Sequence, residues 1–352
     1  MSSAGVEPAA SQAAIESAAQ ALMSGQLVAF PTETVYGLGA DADNAQAVAQ
    51  IYATKGRPSN HPVIVHLATP DDMQAWAKHL DQQAWQLAQA FWPGPLTLIV
   101  PSDAQTGTMI TGGQTTVGLR CPSHPVARAL LAEFARLKRQ AGAVRAGVAA
   151  PSANRFGRIS PTNADHVRQE FTEAIAAGLL VLQGGASEVG IESTIVDLSG
   201  LALGLPVTLL RPGAITASQI EAVLGQPVLA PSSESPRVSG SLKAHYAPTT
   251  PFGLVDGKDL DATVTQWLRQ HPGCLAVMAL RQAPRALDNR VQWFCMADDP
   301  SLYARDLYAR LREMDDLGVA AIICQHPPQG LAWDGVVDRL TRAAAAFEGS
   351  SR

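Results

Sequence analysis

The sequence predicts an α/β protein: a mixed sheet with helices, joined by a linker to a second, smaller α/β domain. Three observations carry this. Short apolar runs alternate with helical stripes from residue 11 to residue 211. Some runs follow one another directly, as strands of a mixed sheet do. A Pro/Ser/Gly-rich stretch from Gly225 to Pro251 then interrupts the pattern before it resumes. At 352 residues, two domains are also the prior from length.

The elements follow in order. Residues 11–24 read as a helix, with Ile15, Ala18, Ala19, Leu22 and Met23 at helical spacing and Gly25 ending it. Strands are expected at Leu27–Phe30, Val63–Leu67, Leu96–Val100, Thr116–Arg120, Gly147–Ala150, Leu179–Leu182, Thr194–Leu198 and Val207–Leu210. A helix carrying Val48, Ile51 and Tyr52 closes at Lys55, and the clearest helical stripe runs through 124–138. Beyond the linker, strands are expected at Phe252–Val255, Cys274–Leu280, Val291–Met296 and Val319–Cys324, with helices over 260–269, 300–316 and 334–347. The domain expectation is 1–213, a linker or flap over 214–250, and 251–352. No internal repeat is evident.

Hydrophobic residues make up 47% and charged residues 16%, which suits a soluble globular chain with a sizeable core. The net charge of -5 argues against a protein that coats nucleic acid by bulk electrostatics. The charge is uneven: Arg120, Arg128, Arg136, Lys138, Arg139, Arg145, Arg155 and Arg158 face one acid, Glu133, in that window. A surface for an anion or RNA and an ordinary solvated helix face are both open readings. Cys121, Cys274, Cys295 and Cys324 form no CxxC pair, so neither zinc nor a disulfide framework is indicated. No signal sequence or membrane-length apolar run is visible, and a cytoplasmic home is expected.

The run Phe30-Pro31-Thr32-Glu33-Thr34-Val35-Tyr36-Gly37-Leu38-Gly39 is the most informative stretch. It presents Thr32, Glu33 and Thr34 at the end of a strand, where open α/β sheets hold ligands. Lys55-Gly56-Arg57-Pro58 suits a polyphosphate, arginine gripping oxygens in a fork and lysine acting as a compact charge. The same cations could simply be helix C-terminal charges favoured by the dipole. In Val63–Leu67, alternation puts Ile64 and His66 on one face and Val63, Val65 and Leu67 on the other. His66 is then either a buried structural histidine or a ligand contact close to Lys55 and Arg57. Arg120 ends a strand and suits a carboxylate or phosphate, whereas Cys121 beside it reads as packing.

Ser152 and Asn154 follow an apolar run and can bond a nucleotide, as can Ser160. Thr162 and Asp165 read as a T-x-x-D helix start. Gly190-Ile191-Glu192-Ser193-Thr194 is a glycine-led loop before a strand, but no G-x-x-x-x-G-K-[ST] P-loop is present. Arg211 ends the last strand of this half. Lys243, His245 and Tyr246 close the linker, either as packing or as a flap over a ligand.

In order, PTETVYGLG, KGRP…VIVH, FWPGPLTL, GLRCPSHP, APSANRFGRISPT, GIESTIVD and LRPG resemble the threonylcarbamoyl-AMP synthase family, long form, over residues 12–213. SLKAHYAP and the region after it are similar to that form's linker and C-terminal domain. The resemblance implies a YrdC-like twisted mixed sheet and a small Rossmann-like C-terminal domain. It implies synthesis of threonylcarbamoyl-adenylate and pyrophosphate from threonine, bicarbonate and ATP, for the threonylcarbamoyladenosine modification of tRNA.

Residue by residue, the resemblance places threonine near Thr34, His66, Arg120 and Ser193. It places ATP near Arg57, His61, Thr116, Ser152, Ser160, Arg211 and Tyr246; Lys55 joins on charge grounds, and Asn154 with Ser152. Lys55 and Arg57 would stabilise transition-state charge, with Mg²⁺ accompanying ATP and no general base assigned. Downstream partners would be the tRNA threonylcarbamoyl-transfer machinery, with weak direct tRNA binding conceivable and no membrane. His61 stands where the family usually has asparagine, and Arg136–Arg145 looks like a basic insertion outside the family pattern. A carbamoyltransferase module and an RNA-binding or ribosome-associated protein are the rival readings. The first lacks its companion segments here, and the acidic total speaks against the second.

Overall fold

The computed structural model describes residues 10–348. Its contacts divide into two units. One runs up to Phe156 and resumes over Pro161–Ser241; the other combines Gly157–Ser160 with the chain from Leu242 onward.

Among the described residues, the first unit holds a nine-stranded sheet. Its strands are β1 (Val28–Phe30), β2 (Gly37–Asp41), β3 (Ile64–His66), β4 (Leu96–Pro101), β5 (Thr116–Arg120), β6 (Val148–Ala149), β7 (Leu180–Val181), β8 (Thr194–Asp197) and β9 (Thr208–Arg211). They lie in the order β7-β1-β2-β6-β3-β5-β4-β8-β9. The β1–β7, β3–β5 and β4–β8 pairs are parallel, and the rest antiparallel, so the sheet is mixed.

β2 is absent from the sequence reading because Gly37 and Gly39 look like turn residues. The structure explains the second glycine. A Cβ at Gly39 would sit 2.8 Å from both a Phe30 ring carbon and a Val148 methyl. Only glycine fits where the side chains of the flanking strands close over the backbone.

Alternation along the central strands decides which sheet face carries function. Val65, Leu98, Val100, Val117 and Leu119 point into the main core with Val63, Leu67 and the helices Ala45–Lys55 and Gln82–Phe91. Ile64, His66, Thr97, Ile99, Gly118 and Arg120 point the other way by register. The division of Val63–Leu67 expected from sequence is the one observed.

Helix ends follow their local chemistry. Asn44 Oδ1 accepts from the Gln46 and Ala47 amides at 3.1 Å each, and Gly56 ends that helix at φ +61°. The helix Pro125–Gln140 starts at His124, whose ring accepts from the Val126 amide at 3.2 Å. One expectation is corrected: the helix Ala164–Glu170 is capped by Asn163, not Thr162. Asn163 Oδ1 accepts from the His166 amide at 2.9 Å, while the Thr162 amide donates to the His166 ring. Asparagine competes well at this position.

The basic stretch 136–145 is spent on acids. Arg136 pairs with Glu133, Lys138 with Asp41 at 2.9 Å, Arg139 with Asp72 at 2.5 Å and Arg145 with Asp43 at 2.6 Å. Arg145 also lies over the Trp76 ring. Arg136 pairs within its own helix, and Lys138, Arg139 and Arg145 tie the helix end and the loop after it to other elements, so the stretch forms no unneutralised patch.

Residues 214–250, expected as one linker, divide differently. Thr216 caps a helix, Ala217–Leu224, which buries Ile220 in the main core. Leu229 then exchanges backbone hydrogen bonds with Val207 and Leu209. Further on, Gln114 and Arg237 exchange side-chain and backbone hydrogen bonds at 2.8 and 2.9 Å. The segment through Ser241 therefore belongs to the first unit. Its low apolar content conceals how well its backbone and its few apolar anchors are used.

In the second unit, β10 (Phe252–Val255), β11 (Leu275–Ala279), β12 (Val291–Cys295) and β13 (Ala321–Gln325) form a parallel sheet in the order β10-β13-β11-β12. Helices Leu260–Gln270, Pro300–Asp316 and Asp334–Ala345 supply its crossovers and cover. This is the Rossmann-like pattern expected for the second domain. No described helix is long and apolar enough to cross a membrane.

Candidate functional site

The chain leaving β1 folds back on itself. Thr32 Oγ1 donates to the Val35 carbonyl at 2.6 Å and accepts from the Thr34 and Val35 amides. Ser187 Oγ fastens this loop by donating to the Thr32 carbonyl at 2.9 Å. Thr32, Glu33 and Thr34 are all buried.

Arg120 reaches this loop from the end of β5. Its Nη1 donates to Thr34 Oγ1 at 2.9 Å, and its Nη2 lies 2.7 Å from Glu33 Oε1. The pairing of β3 with β5 sets His66 beside Arg120. Burial, and then the Arg120 charge, push the His66 pKa down to about 3. His66 is therefore a neutral ring at neutral pH.

The row continues across the sheet. The register Leu98↔Leu119 sets Thr97 opposite Arg120. Thr97 Oγ1 meets Ser193 Oγ at 2.7 Å. Arg211, ending β9, donates from Nη2 to Ser193 Oγ at 3.1 Å and from Nε to the Ser193 carbonyl at 3.0 Å. Thr34, His66, Arg120 and Ser193, separated widely in sequence, thus lie in one connected band on one face of the sheet.

Cations gather at the end of this band. Arg57 Nη2 donates to the Pro62 carbonyl at 2.8 Å and to Ser239 Oγ at 3.2 Å. Arg211 Nη1 donates to the Ser239 carbonyl at 2.8 Å, so Ser239 links the two guanidinium groups. Lys55 Nζ donates to the Ser152 carbonyl at 2.5 Å and to the Asn154 carbonyl. Burial, helped by Arg57, holds the Lys55 pKa well below the usual lysine range. Ser152 and Asn154 thus meet Lys55 through backbone oxygens, and the Asn154 side chain donates to the Arg155 carbonyl at 2.7 Å.

Further along the same sheet face is a shallow, solvent-open pocket. Ile64, Ile99, Ile195, Gly118 and Thr116 form its sheet side, with Val238 and Ser239 from the former linker region beside them. Gly118 lies under the neighbouring isoleucines: a Cβ there would be 3.1 Å from the Ile99 terminal methyl. His61 lies edge-on to Phe156, with ring centroids 5.3 Å apart. Burial and Arg57 keep its pKa below the ordinary histidine value.

Ser160 and Tyr246 fall in the second unit. Tyr246 has φ +62°, unusual for a residue with a side chain, and packs with Tyr308 and beneath the Arg339 guanidinium. Sequence reasoning missed Thr97 and Ser239 as members of the network. Thr97 stands within FWPGPLTL, but nothing distinguished it from an ordinary strand threonine. Cys121 is buried, and its thiol is pushed up to about 11, in keeping with packing.

Residues 20–213 match a family described as telomere recombination (Sua5, YciO, YrdC), and residues 215–345 match the threonylcarbamoyl-AMP synthase C-terminal domain. The threonylcarbamoyl-AMP synthase of Pyrococcus abyssi (strain GE5 / Orsay) is 34% identical over 94% of this chain and 94% of its own length. This chain belongs to the threonylcarbamoyl-AMP synthase family. The threonylcarbamoyl-AMP synthase of Bacillus subtilis (strain 168) is 36% identical over 94% of this chain and 92% of its own length. A crystal structure of P. abyssi Sua5 complexed with L-threonine is similar at a TM-score of 0.83 and 32% identity, covering 95% of both chains. Together the two family matches cover most of both units, the C-terminal-domain match beginning within the first.

The buried neutral His66 gives a testable pH dependence. Its folded pKa is depressed below the unfolded value, so the unfolded state binds more protons between about pH 6.5 and pH 3. Stability is lost as pH falls through that window, by up to about 1.4 kcal/mol per pH unit from this group. Urea unfolding at pH 7, 5.5 and 4.5 should show a shallower acid loss for His66→Gln than for the unaltered protein. Equal slopes would show that His66 does not control the acid limb.

Proposed function

We propose that this member of the threonylcarbamoyl-AMP synthase family joins threonine, bicarbonate and ATP into threonylcarbamoyl-adenylate and pyrophosphate. The observation that carries the reading is the band His66–Arg120–Thr97–Ser193 on the sheet face that also bears the pocket and the cations. In this reading Arg120 holds the threonine carboxylate, while Thr34, neutral His66 and Ser193 shape the rest of its pocket. Arg57, Arg211 and Lys55 receive the triphosphate. Thr116, Ser152 and Asn154 border the nucleotide, and His61, Ser160 and Tyr246 remain proposed nucleotide contacts.

The reaction asks for templating more than for acid–base power. A threonine carbamate is short-lived in water, so it must meet the α-phosphorus before it decomposes. Carbamate oxygen attacks that phosphorus, and the bond to the departing pyrophosphate breaks. Negative charge grows on the leaving group, where fixed cations stabilise it. Mg²⁺ is proposed as a companion of the phosphates alone. Among the described residues no group of three or more His, Cys, Asp or Glu side chains is placed to hold an ion, and Mg²⁺ commonly takes substrate phosphates and water as ligands.

The product is proposed to feed the tRNA threonylcarbamoyl-transfer machinery. Labelled threonine, incubated with ATP and bicarbonate, should appear in an adenylate resolved by mass spectrometry. Serine should react with a kcat/KM about 5-fold lower, because losing one methyl removes on the order of 1 kcal/mol of apolar contact. Absence of the threonine adenylate, or an equal yield from glycine, would contradict the assignment.

A further inference from the structure

Glu33 is a buried charge without a task in the reading above. Its residue is 4% exposed. Its backbone is pinned, the carbonyl accepting from the Val189 amide at 2.7 Å. Its carboxylate is not similarly used. Oε1 lies 2.7 Å from Arg120 Nη2, at an angle that makes no hydrogen bond, and neither carboxylate oxygen accepts one from any described residue. Arg120 is meanwhile steadied elsewhere, by Thr34 Oγ1 at 2.9 Å and the Gly94 carbonyl at 3.4 Å. A buried carboxylate with unused acceptor capacity is costly unless something completes it.

We propose that Glu33 recognises the amino group of the amino-acid substrate, with Arg120 and Glu33 together forming a matched pair of charges for its carboxylate and its ammonium. The proposal rests on the functional reading above. It follows from charge balance. A carboxylate arriving alone at Arg120 would place a second anion beside Glu33 in a poorly solvated site. A zwitterion brings its own cation, so the two internal charges meet two opposite charges and no net charge is buried. The ammonium can donate to the oxygens that now lack donors. Glu33 thereby fixes the nitrogen that must become the carbamate nitrogen, and it selects for a free amino acid over an acid of the same shape.

The test is calorimetric titration of the full chain with L-threonine and with 3-hydroxybutyrate, which lacks only the amino group. In the unaltered chain, threonine should bind about 100-fold more tightly than the deaminated acid. Glu33→Gln should weaken threonine about 30-fold or more, shrink the gap between the two ligands, and leave ATP binding within about 2-fold. A general structural defect would weaken both acids alike and leave the gap intact. Unchanged threonine affinity in Glu33→Gln overturns the proposal, as does tight binding of the deaminated acid to the unaltered chain. If Glu33→Gln does not fold, the two-ligand comparison on the unaltered chain decides alone. No threonine binding by the unaltered chain would overturn the functional reading itself, and this inference with it.

Discussion

Arg120→Ala is expected to raise the KM for threonine by roughly 30-fold to several thousand-fold, corresponding to about 2–5 kcal/mol for a desolvated charge-assisted contact. The KM for ATP should stay within about 3-fold, because the cations proposed for the triphosphate are anchored separately, through Ser239, Ser152 and Asn154. The same substitution strands Glu33, whose partner lies 2.7 Å away in a pair with both side chains 5% exposed. Breaking a buried pair from one side costs about 3–5 kcal/mol of stability. The double variant Arg120→Ala/Glu33→Gln should recover part of that loss without recovering threonine binding. Steady-state kinetics and urea unfolding on the three variants separate the two effects. A folded Arg120→Ala protein with normal threonine KM would remove Arg120 from the amino-acid site.

The second large effect is expected at Lys55. Its ammonium donates to the Ser152 and Asn154 carbonyls and is buried. Lys55→Met should lower kcat for adenylate formation by about 100-fold or more, the usual scale for losing one fixed group that stabilises transition-state charge. Stability should change less, within about 2 kcal/mol. Two carbonyls lose a donor, at about 1–3 kcal/mol each, but an amine no longer has to be buried.

Protonation gives a sharper signature. Burial and Arg57 depress the Lys55 pKa, whereas an arriving triphosphate raises it. At a buffer pH above that depressed value, ATP binding takes up protons. Calorimetry in buffers of different ionisation enthalpy should detect the uptake in the unaltered protein and find it reduced in Lys55→Met. Equal uptake by both would assign the proton elsewhere.

Much of this site was legible because its side chains sit at strand ends. His66, Arg120 and Arg211 each end a short apolar run, and period-two alternation told which face Ile64 and His66 would take. What remained hidden was cross-strand information. Nothing local in Leu96–Val100 says that Thr97 stands opposite Arg120, since that depends on an antiparallel register between strands joined by a long connection. Ser239 was hidden differently. Its surroundings are Pro/Ser-rich, which composition reads as a tether, yet the segment is docked by Val238 and by the paired hydrogen bonds of Gln114 and Arg237.

β2 was hidden by glycines that serve close packing instead of turning. For Arg136–Arg145 a surface for an anion stayed open beside an ordinary solvated helix face, because sequence shows the cations together and the acids Asp41, Asp43 and Asp72 far away. Glu33 was visible as part of the loop after β1, but its unused acceptor capacity appears only once Arg120 is placed beside it.

The most direct test of the central claim is pyrophosphate release from ATP, followed continuously with a coupled assay. Release should require threonine and bicarbonate together and fall to background when either is omitted. It should also fall in Arg120→Ala at threonine concentrations that saturate the unaltered protein. Release at an undiminished rate without an amino acid, or with glycine in place of threonine, would contradict the account.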